Sequence, residues 1–481
     1  MSGLRERLGR LRKPETVSAA APPAPDGGGE WEQIGAHVET SPAGSFVMRR
    51  RTYGADSTHG KYRLLELADY AQQLSCFHIQ DAIVGLEELL FFDTETTGLG
   101  VGAGNVPFMV GIGYYTGKMF IVEQLFIRNP AEEHAMLVYL QELLTRFTHL
   151  ISYNGRTFDW PILKNRYVLN RLKLDDSKLL QLDLLYPSRS LWRNTLPSCR
   201  LSKVEESRLG FERVEDVPGS MAPALYFQYL AEKDPAVLEG VFIHNEHDIV
   251  TLAALSIHFG KLLGGLFGEQ GETVSISMSE AALNFADMEL EELYRTGLWL
   301  EKMDRSALGD YVLNKLYARL TDESRFAEHQ NSALLQPRAC SHPDEESAVL
   351  LLAAYYKKKG IYDRAVVLWK RWIEAKNASI ALQLEPYLEL AMYYEHREKN
   401  YHQAIFYAEE AWAKLWRRRA LQRSDSKHMD AEEALERRIR RLKEKLRKTE
   451  QTNARFLGTR VAPKLPKKSR LKPVYASEGL V

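Results

Sequence analysis

"LLFFDTETTGL", residues 89–99, begins with four apolar residues that continue directly into two carboxylates. A short apolar run of this kind predicts a buried β-strand. Because side chains alternate between the two faces of a strand, Asp93 and Glu95 are expected to share one face at its end. Two like charges placed there repel each other unless a cation lies between them. Oxygen ligands suit Mg²⁺ or Mn²⁺, although such a pair alone is also compatible with a structural role.

The segments after this strand alternate between strand and helix patterns. They form a three-stranded meander, a helix, a strand, a helix and a strand, and then a helical stretch to about residue 265. This order predicts an α/β mixed sheet flanked by helices, the ordering found in the RNase H-like fold. The segments are PFMVGIGYYTGKMFIVEQLFI (107–127), AEEHAMLVYLQELLTRF (131–147), HLISYNG (149–155), DWPILKNRYVLNRL (159–172) and SKLLQLDLLY (177–186).

A Rossmann-like sheet was the competing interpretation of this α/β pattern. The glycine-rich stretch GLGVGAGN (98–105) does not support it, because Ala103 and Asn105 stand where the dinucleotide fingerprint needs its third glycine. The chain also contains no Gly-Lys-Ser/Thr sequence of a phosphate-binding P-loop. The sequence therefore favours the RNase H-like alternative.

Two further motifs supply acidic residues. In SYNGRTFDWPIL (152–163), Asp159 follows a strand and enters a helix, where it can also serve as an N-cap before Pro161. In HNEHDIV (244–250), His244 precedes Asp248 by one helical turn, which places the two about 40° apart around the axis. His247 is about 100° from Asp248 on the same helix. We therefore predict that His244 shares the pocket of Asp248 and that His247 contacts solvent or a neighbouring helix.

Together, the D-x-E, N-x-x-x-F-D and H-x-x-x-D motifs resemble the three motifs of the DEDD 3′–5′ exonucleases. DTETTGL is typical of the histidine branch of that superfamily, whereas a His four residues before the Asp has the spacing of the tyrosine branch. The resemblance implies a two-metal mechanism with two Mg²⁺ or Mn²⁺ ions. It assigns the catalytic residues Asp93, Glu95, Asp159, His244 and Asp248, the metal ligands Asp93, Glu95, Asp159 and Asp248, and the substrate-binding residues Asn154 and Phe158.

A closer resemblance combines these motifs with the segments GSFVMRRRTY (44–53), HGKYRLLEL (59–67) and CRLSKVEESRLGFERVEDVPG (199–219). The set is similar to the bacterial YprB-like (mitomycin repair factor B) proteins over roughly residues 40–265 and into the helical region beyond. This resemblance implies a DNA-directed exonuclease that acts in DNA repair with a partner helicase. An RNA exonuclease using the same site, or a catalytically inactive scaffold, remains an alternative.

A repeat in the C-terminal half predicts an all-α, tetratricopeptide-like domain. Residues 351–369 and 389–409 align at an offset of 38 to 39 residues, which brings paired tyrosines and small residues into register. Such helix pairs predict a protein partner. The predicted domains are a basic segment with a flexible linker (1–35), the exonuclease domain (36–265), the tetratricopeptide-like domain (266–425) and a basic helix with a disordered tail (426–481).

The distribution of charge and the number of cysteines limit the classes of protein to which the chain can belong. The net charge is zero, yet residues 414–473 carry 21 Lys and Arg against 7 Asp and Glu. This arm is expected to contact phosphate backbones or to form a solvated helix with a tail. The chain contains no apolar run of membrane-spanning length. Three widely spaced cysteines favour a reducing compartment, and we expect a cytoplasmic protein without a membrane partner.

Overall fold

The computed structural model describes residues 29–78, 83–98, 104–264, 288–322, 343–375, 383–421 and 426–458. The chain forms two compact units, Met1–Asn314 and Lys315–Val481. Most of the predicted basic N-terminal segment, residues 99–103 of the glycine-rich stretch, Cys340 and the tail from residue 459 lie outside the described residues. No helix in the described part of the chain is both long and apolar enough to cross a membrane.

A seven-stranded mixed sheet organises the first unit, in the order β1-β2-β7-β6-β5-β8-β9. Strands β5, β6 and β7 form the predicted antiparallel meander, and β8 and β9 extend it in parallel. The hairpin β1–β2, which was not predicted, adds two antiparallel strands beside β7. The strands are β1 Ala36–Ser41, β2 Gly44–Tyr53, β3 Thr58–His59, β4 Tyr62–Arg63, β5 Leu89–Thr96, β6 Pro107–Thr116, β7 Met119–Phe126, β8 His149–Ser152 and β9 Leu180–Asp183, with β3 and β4 paired in a separate small sheet.

Helices cover the sheet, so the predicted RNase H-like mixed sheet flanked by helices is confirmed. Strand β5 is buried along its apolar half because neighbours cover both of its faces. The helices from residue 29 to residue 321 are α1 Gly29–Glu32, α2 Leu67–Tyr70, α3 Glu133–Leu144, α4 Asp159–Leu169, α5 Leu185–Trp192, α6 Leu201–Val204, α7 Ala222–Glu232, α8 Glu239–Gly264, α9 Leu290–Lys302 and α10 Ser306–Thr321.

Helix α8 lies directly against the meander. Gly111 and Gly113 of strand β6 permit this approach, because a Cβ atom at either position would collide with Asn245 or Ile249 of the helix. From Ile249 onward nearly every residue of α8 is buried, and each large apolar side chain buried in this way contributes about 1.5–3 kcal/mol. The close packing fixes the N-terminal half of α8, which carries the third motif, over the centre of the sheet.

The second unit is all-helical, as predicted. Ala365 and Ala404, which the repeat aligns, are both fully buried, and the rings of Tyr394 and Tyr407 stack with centroids 5.7 Å apart. The assignment of these helix pairs as tetratricopeptide-like stays a prediction. The helices are α11 Pro343–Lys359, α12 Tyr362–Ala375, α13 Glu385–His396, α14 Tyr401–Leu421 and α15 Ser426–Gly458.

The basic helix α15 uses several of its cations within the second unit. Glu395 of α13 is 1% exposed and lies 3.0 Å from Arg441, 3.5 Å from Arg438 and 2.7 Å from Lys445. Burial alone would raise the pKa of Glu395, but hydrogen bonds from Lys445 and Arg441 lower it below its ordinary value. These three cations therefore hold helix α15 in place, and the phosphate contacts expected of the arm would fall to its other basic residues.

Candidate active site

Strand β5 presents the first two predicted carboxylates near its C-terminal end. Asp93 is partly buried and Glu95 is 8% exposed. Burial raises the pKa of both carboxyl groups well above the ordinary range, and the charges of Asp248 and Asp159 raise it further. The two groups thus lie in an environment that disfavours a second negative charge.

Asp159 approaches the same region from helix α4. The helix begins at Asp159 itself and Phe158 occupies the N-cap position, so the N-cap role considered for Asp159 is not what the structure shows. The Asp159 carboxylate is 6% exposed and accepts a hydrogen bond from the Thr94 hydroxyl. The pKa of Asp159 is raised to about 6: burial raises it most, the hydrogen bond from Thr94 opposes the rise, and the charges of Asp183 and Asp248 add to it.

The structure therefore brings Asp93, Glu95, Asp159 and Asp248 close enough to repel one another electrostatically. Among the described residues, no three His, Cys, Asp or Glu side chains are arranged to hold a metal ion. Asp248 pairs with Arg213 and Asp159 accepts a hydrogen bond from Thr94, so both carboxylates have partners within the protein. The chemistry of the four carboxylates nevertheless fits a hard divalent cation, which prefers oxygen ligands and would relieve their repulsion.

Arg213 is the cationic centre of the site and was not predicted. Its guanidinium lies 2.5 Å from Asp248 Oδ1, 2.6 Å from Glu205 Oε2 and 3.4 Å from Asp216 Oδ2. The Arg213 side chain is 6% exposed and that of Glu205 is completely buried. The nearby carboxylates, Asp248 first among them, overcome the effect of burial and raise the pKa of Arg213 above its ordinary value. The segment that carries Arg213 thereby fixes the third motif from outside helix α8.

His244 and Asp248 lie together, as their helical spacing predicts. His244 Nε2 is 3.6 Å from Asp248 Oδ2, and His244 Nδ1 is 2.9 Å from Asp216 Oδ1. Gly219 lies against the imidazole, since a Cβ atom there would be 3.1 Å from Nε2. Asp216 is a residue that the sequence interpretation missed, and it orients the ring of His244.

His247 has a different environment. Its ring meets the edge of the Phe211 ring, with centroids 5.5 Å apart. Burial lowers the pKa of His247, and the charge of Arg213 lowers it further. His247 therefore packs against the loop after helix α6, where the prediction had placed solvent or a neighbouring helix.

Asn245 connects the third motif to the first. It is fully buried, its Nδ2 donates to Asp93 Oδ2 at 3.0 Å, and its Oδ1 accepts from Gln124 at 3.0 Å. Arg49 of strand β2 donates to Gln124 at 3.0 Å and pairs with Glu246 at 2.8 Å. A buried polar chain thus runs from the unpredicted β-hairpin to the carboxylate of strand β5.

The second motif is organised by Asp183, the last residue of strand β9. The Asp183 carboxylate accepts from the backbone N–H groups of Asn154 at 2.8 Å and Arg156 at 3.3 Å. Asn154 has a positive φ of 69° and its side chain is exposed. Phe158 is partly buried. The substrate-binding roles of Asn154 and Phe158 stay predictions.

Sequence comparison places this architecture in a family. Residues 90–259 match the RNase_H_2 family, which belongs to the RNase_H superfamily. The YprB protein of Bacillus subtilis (strain 168) is 31% identical over 388 residues, which cover 79% of this chain and 84% of that protein. The chain belongs to the YprB family. Its RNase H-superfamily nuclease domain contains all five residues that the motifs predicted to be catalytic.

Structure comparison also matches the chain to the family B DNA polymerase from the hyperthermophilic archaeon Pyrobaculum calidifontis. The similarity has 14% sequence identity and a TM-score of 0.30, and covers 47% of this YprB-family chain and 30% of the polymerase chain.

Proposed function

We propose that this protein is a metal-dependent 3′–5′ exonuclease that hydrolyses phosphodiester bonds of DNA and acts in DNA repair. The observation that carries the proposal is the cluster of Asp93, Glu95, Asp159 and Asp248, in which burial raises the pKa of the first three carboxyl groups and their mutual repulsion raises it further. These four residues would hold two Mg²⁺ or Mn²⁺ ions. Such ions supply an activated water and neutralise the leaving 3′-oxygen.

His244 is suited to accept a proton from the attacking water. The carboxylate of Asp216 faces Nδ1 at 2.9 Å and favours the tautomer that carries its proton on that nitrogen. The lone pair of Nε2 is then free to take the proton, on the side of the ring that faces Asp248 at 3.6 Å. Asp216 also stabilises the imidazolium that results. Asn245, through its hydrogen bond to Asp93, keeps that carboxylate in a fixed orientation.

DNA is preferred to RNA as the substrate because the YprB-like resemblance implies a DNA-directed enzyme. RNA presents the same scissile phosphate, and only contacts to the 2′-hydroxyl would separate the two. A catalytically inactive scaffold is the less favoured alternative, since it would gain nothing from a self-repelling carboxylate cluster. The proposed partners are a helicase and a protein bound through the helices of the second unit.

Digestion of end-labelled strands tests the proposed activity. We expect 5′-labelled single-stranded DNA to shorten progressively from its 3′ end in Mg²⁺ or Mn²⁺, with release of nucleoside 5′-monophosphates, and no digestion in EDTA. Parallel reactions with double-stranded DNA and RNA measure the substrate preference. Faster digestion of RNA would favour the alternative substrate, and intact strands of every kind in Mn²⁺ would contradict the exonuclease assignment.

The two neighbouring histidines should differ in their effect on turnover. We expect His244→Ala to lower the single-turnover rate by roughly 10² or more, because a general base is lost. His247→Ala serves as the matched control and should cost much less, since that ring packs on Phe211. Rates measured at several pH values decide the matter. The assignment would be refuted if His247→Ala lowered the single-turnover rate more than His244→Ala does. It would also be refuted if the rate of the His244 variant still changed with pH near neutrality as it does in the unchanged protein.

A further inference from the structure

A basic stretch lies between the second and third motifs. Residues 184–204 contain Arg189, Arg193, Arg200 and Lys203 but no Asp or Glu. The three arginines line one concave pocket of about 270 Å³, together with Pro197, Ser198 and Cys199. The pocket is formed by helix α5 and the segment that follows it. Four cations in 21 residues without an acid stand out in a chain whose net charge is zero.

The arginines of this pocket differ from the two arginines that follow them in the chain, Arg208 and Arg213. Arg189, Arg193 and Arg200 are exposed, and within the described residues none of them forms an ion pair with a carboxylate. By contrast, the nearby Arg208 lies 3.0 Å from Glu292, and Arg213 is bound by Glu205. Three guanidinium groups that converge without a counter-charge repel one another, and an anion between them would remove that repulsion.

Hydrogen bonds connect the pocket to the C-terminal ends of strands β8 and β9, at the end of the sheet where the carboxylates lie. Tyr153, which directly follows strand β8, donates from its hydroxyl to the Cys199 carbonyl at 2.7 Å. Asn154, which follows Tyr153, donates its backbone N–H to the carboxylate of Asp183, the last residue of strand β9, at 2.8 Å. The same carboxylate accepts from the backbone N–H of Leu185 in helix α5 at 3.0 Å. The pocket and the second motif are therefore anchored to the same strand ends.

We propose that this arginine pocket, lined by Arg189, Arg193 and Arg200, binds backbone phosphates of the substrate strand, and the proposal rests on the proposed nuclease function. The guanidinium fork matches phosphate oxygens and can bind two at once. A nucleic-acid strand is repelled by the carboxylates of the active site, and a basic site anchored to the ends of strands β8 and β9 offsets that repulsion. Contacts to phosphates hold the strand in place without reading its sequence.

A charge-matched pair of variants tests the pocket. In the first variant Arg189, Arg193 and Arg200 are each replaced by Gln. In the control variant Lys118, Lys173 and Lys178, which are exposed, are replaced by Gln. Lys118 lies in the β6–β7 turn and the other two precede strand β9, so the control residues lie near the opposite ends of the strands from the pocket. Both variants lose the same charge, and neither loses a buried contact.

Binding is measured by fluorescence anisotropy with a labelled single-stranded oligonucleotide, in EDTA so that no hydrolysis occurs, at several salt concentrations. We expect the pocket variant to bind at least about tenfold more weakly, and its logarithmic salt slope to fall by about 2, since each lost contact to a single strand removes about 0.7. The control variant should bind within about twofold of the unchanged protein. An equal loss in both variants, or no loss in the pocket variant, would overturn the proposal.

Two further arms separate related explanations. Competition with inorganic phosphate at millimolar concentration should displace the oligonucleotide only weakly if the pocket binds a strand through several phosphates, and strong displacement would show a site for free phosphate. Replacing the three arginines by Lys keeps the charge but removes the guanidinium fork, and should restore only part of the affinity. Hydrolysis is assayed separately: pocket-dependent binding without hydrolysis would contradict the nuclease function alone, and hydrolysis with pocket-independent binding would contradict the pocket alone.

Discussion

Replacement of Asp93 by Asn is expected to abolish phosphodiester hydrolysis and to make the metal-free protein more stable. The substitution removes one charge from a cluster in which burial, Asp248, Asp159 and Glu95 all raise the pKa of Asp93. A raised pKa means that the ionised carboxylate destabilises the fold at neutral pH, and one pKa unit corresponds to about 1.4 kcal/mol. The amide retains an oxygen that can accept the hydrogen bond from Asn245. The fold is therefore preserved while a proposed metal ligand is lost.

The measurements are a digestion assay and a thermal melt in EDTA and in Mn²⁺. We expect hydrolysis to fall below detection, because a proposed metal ligand is lost, and the melting temperature in EDTA to rise by about 2–4 °C, the shift expected for about 1 kcal/mol in a unit of this size. Mn²⁺ should stabilise the unchanged protein more than the variant, because a ligand that binds only the folded state raises its stability. Asp69→Asn, at an exposed position, is the control. Undiminished hydrolysis by the Asp93 variant would refute the metal-site hypothesis.

Asp248 should behave differently from Asp93 although both are proposed ligands. Asp248→Asn is also expected to abolish hydrolysis, but Asp248 pairs with Arg213 at 2.5 Å. Removing its charge relieves the repulsion on strand β5 and also takes a partner from a buried cation. The gain in stability expected for the Asp93 variant should therefore be absent here.

Local patterns were sufficient for the parts of the site that a single element carries. Asp93 and Glu95 follow from strand alternation, and the proximity of His244 to Asp248 follows from the pitch of a helix. The mixed sheet could be predicted because each of its central strands has its own apolar run. These features depend on residues that are close in sequence, and periodicity describes such relations well.

The parts that the sequence did not predict depend on distant contacts. Arg49 reaches Gln124 across 75 residues, and Asn245 reaches Asp93 across 152. Arg213 lies 35 residues from Asp248, on a segment whose charged residues have no helical or strand period. Its sequence, GFERVEDVPG, also fits a solvated loop. Only the packed fold shows that Arg213 and Asp216 point towards the third motif.

Arg213→Gln is expected to destabilise the first unit by about 3–5 kcal/mol, the usual cost of removing one partner from a buried ion pair. Glu205 is completely buried and would lose the guanidinium that lies 2.6 Å from it, while Asp248 would lose its cation in an already repulsive cluster. Urea unfolding monitored by tryptophan fluorescence measures the loss. Arg213→Lys keeps the charge but not the guanidinium fork, so the stability of this variant should lie between that of the unchanged protein and that of the Gln variant. A Gln variant within about 0.5 kcal/mol of the unchanged protein would show that the buried cluster is not needed for folding.

The pH dependence separates this electrostatic explanation from a simple packing defect. In the unchanged protein burial alone would raise the pKa of Glu205, but hydrogen bonds from His59 and Arg213 lower it. Glu205 therefore stabilises the fold above its unfolded pKa, and this contribution is lost as the pH falls through its folded pKa. Without Arg213, burial should raise the pKa of Glu205, so that the variant gains relative stability when the carboxylate is protonated. The difference between the two proteins should thus shrink from pH 7 to about pH 4.5, whereas a packing defect would leave it constant.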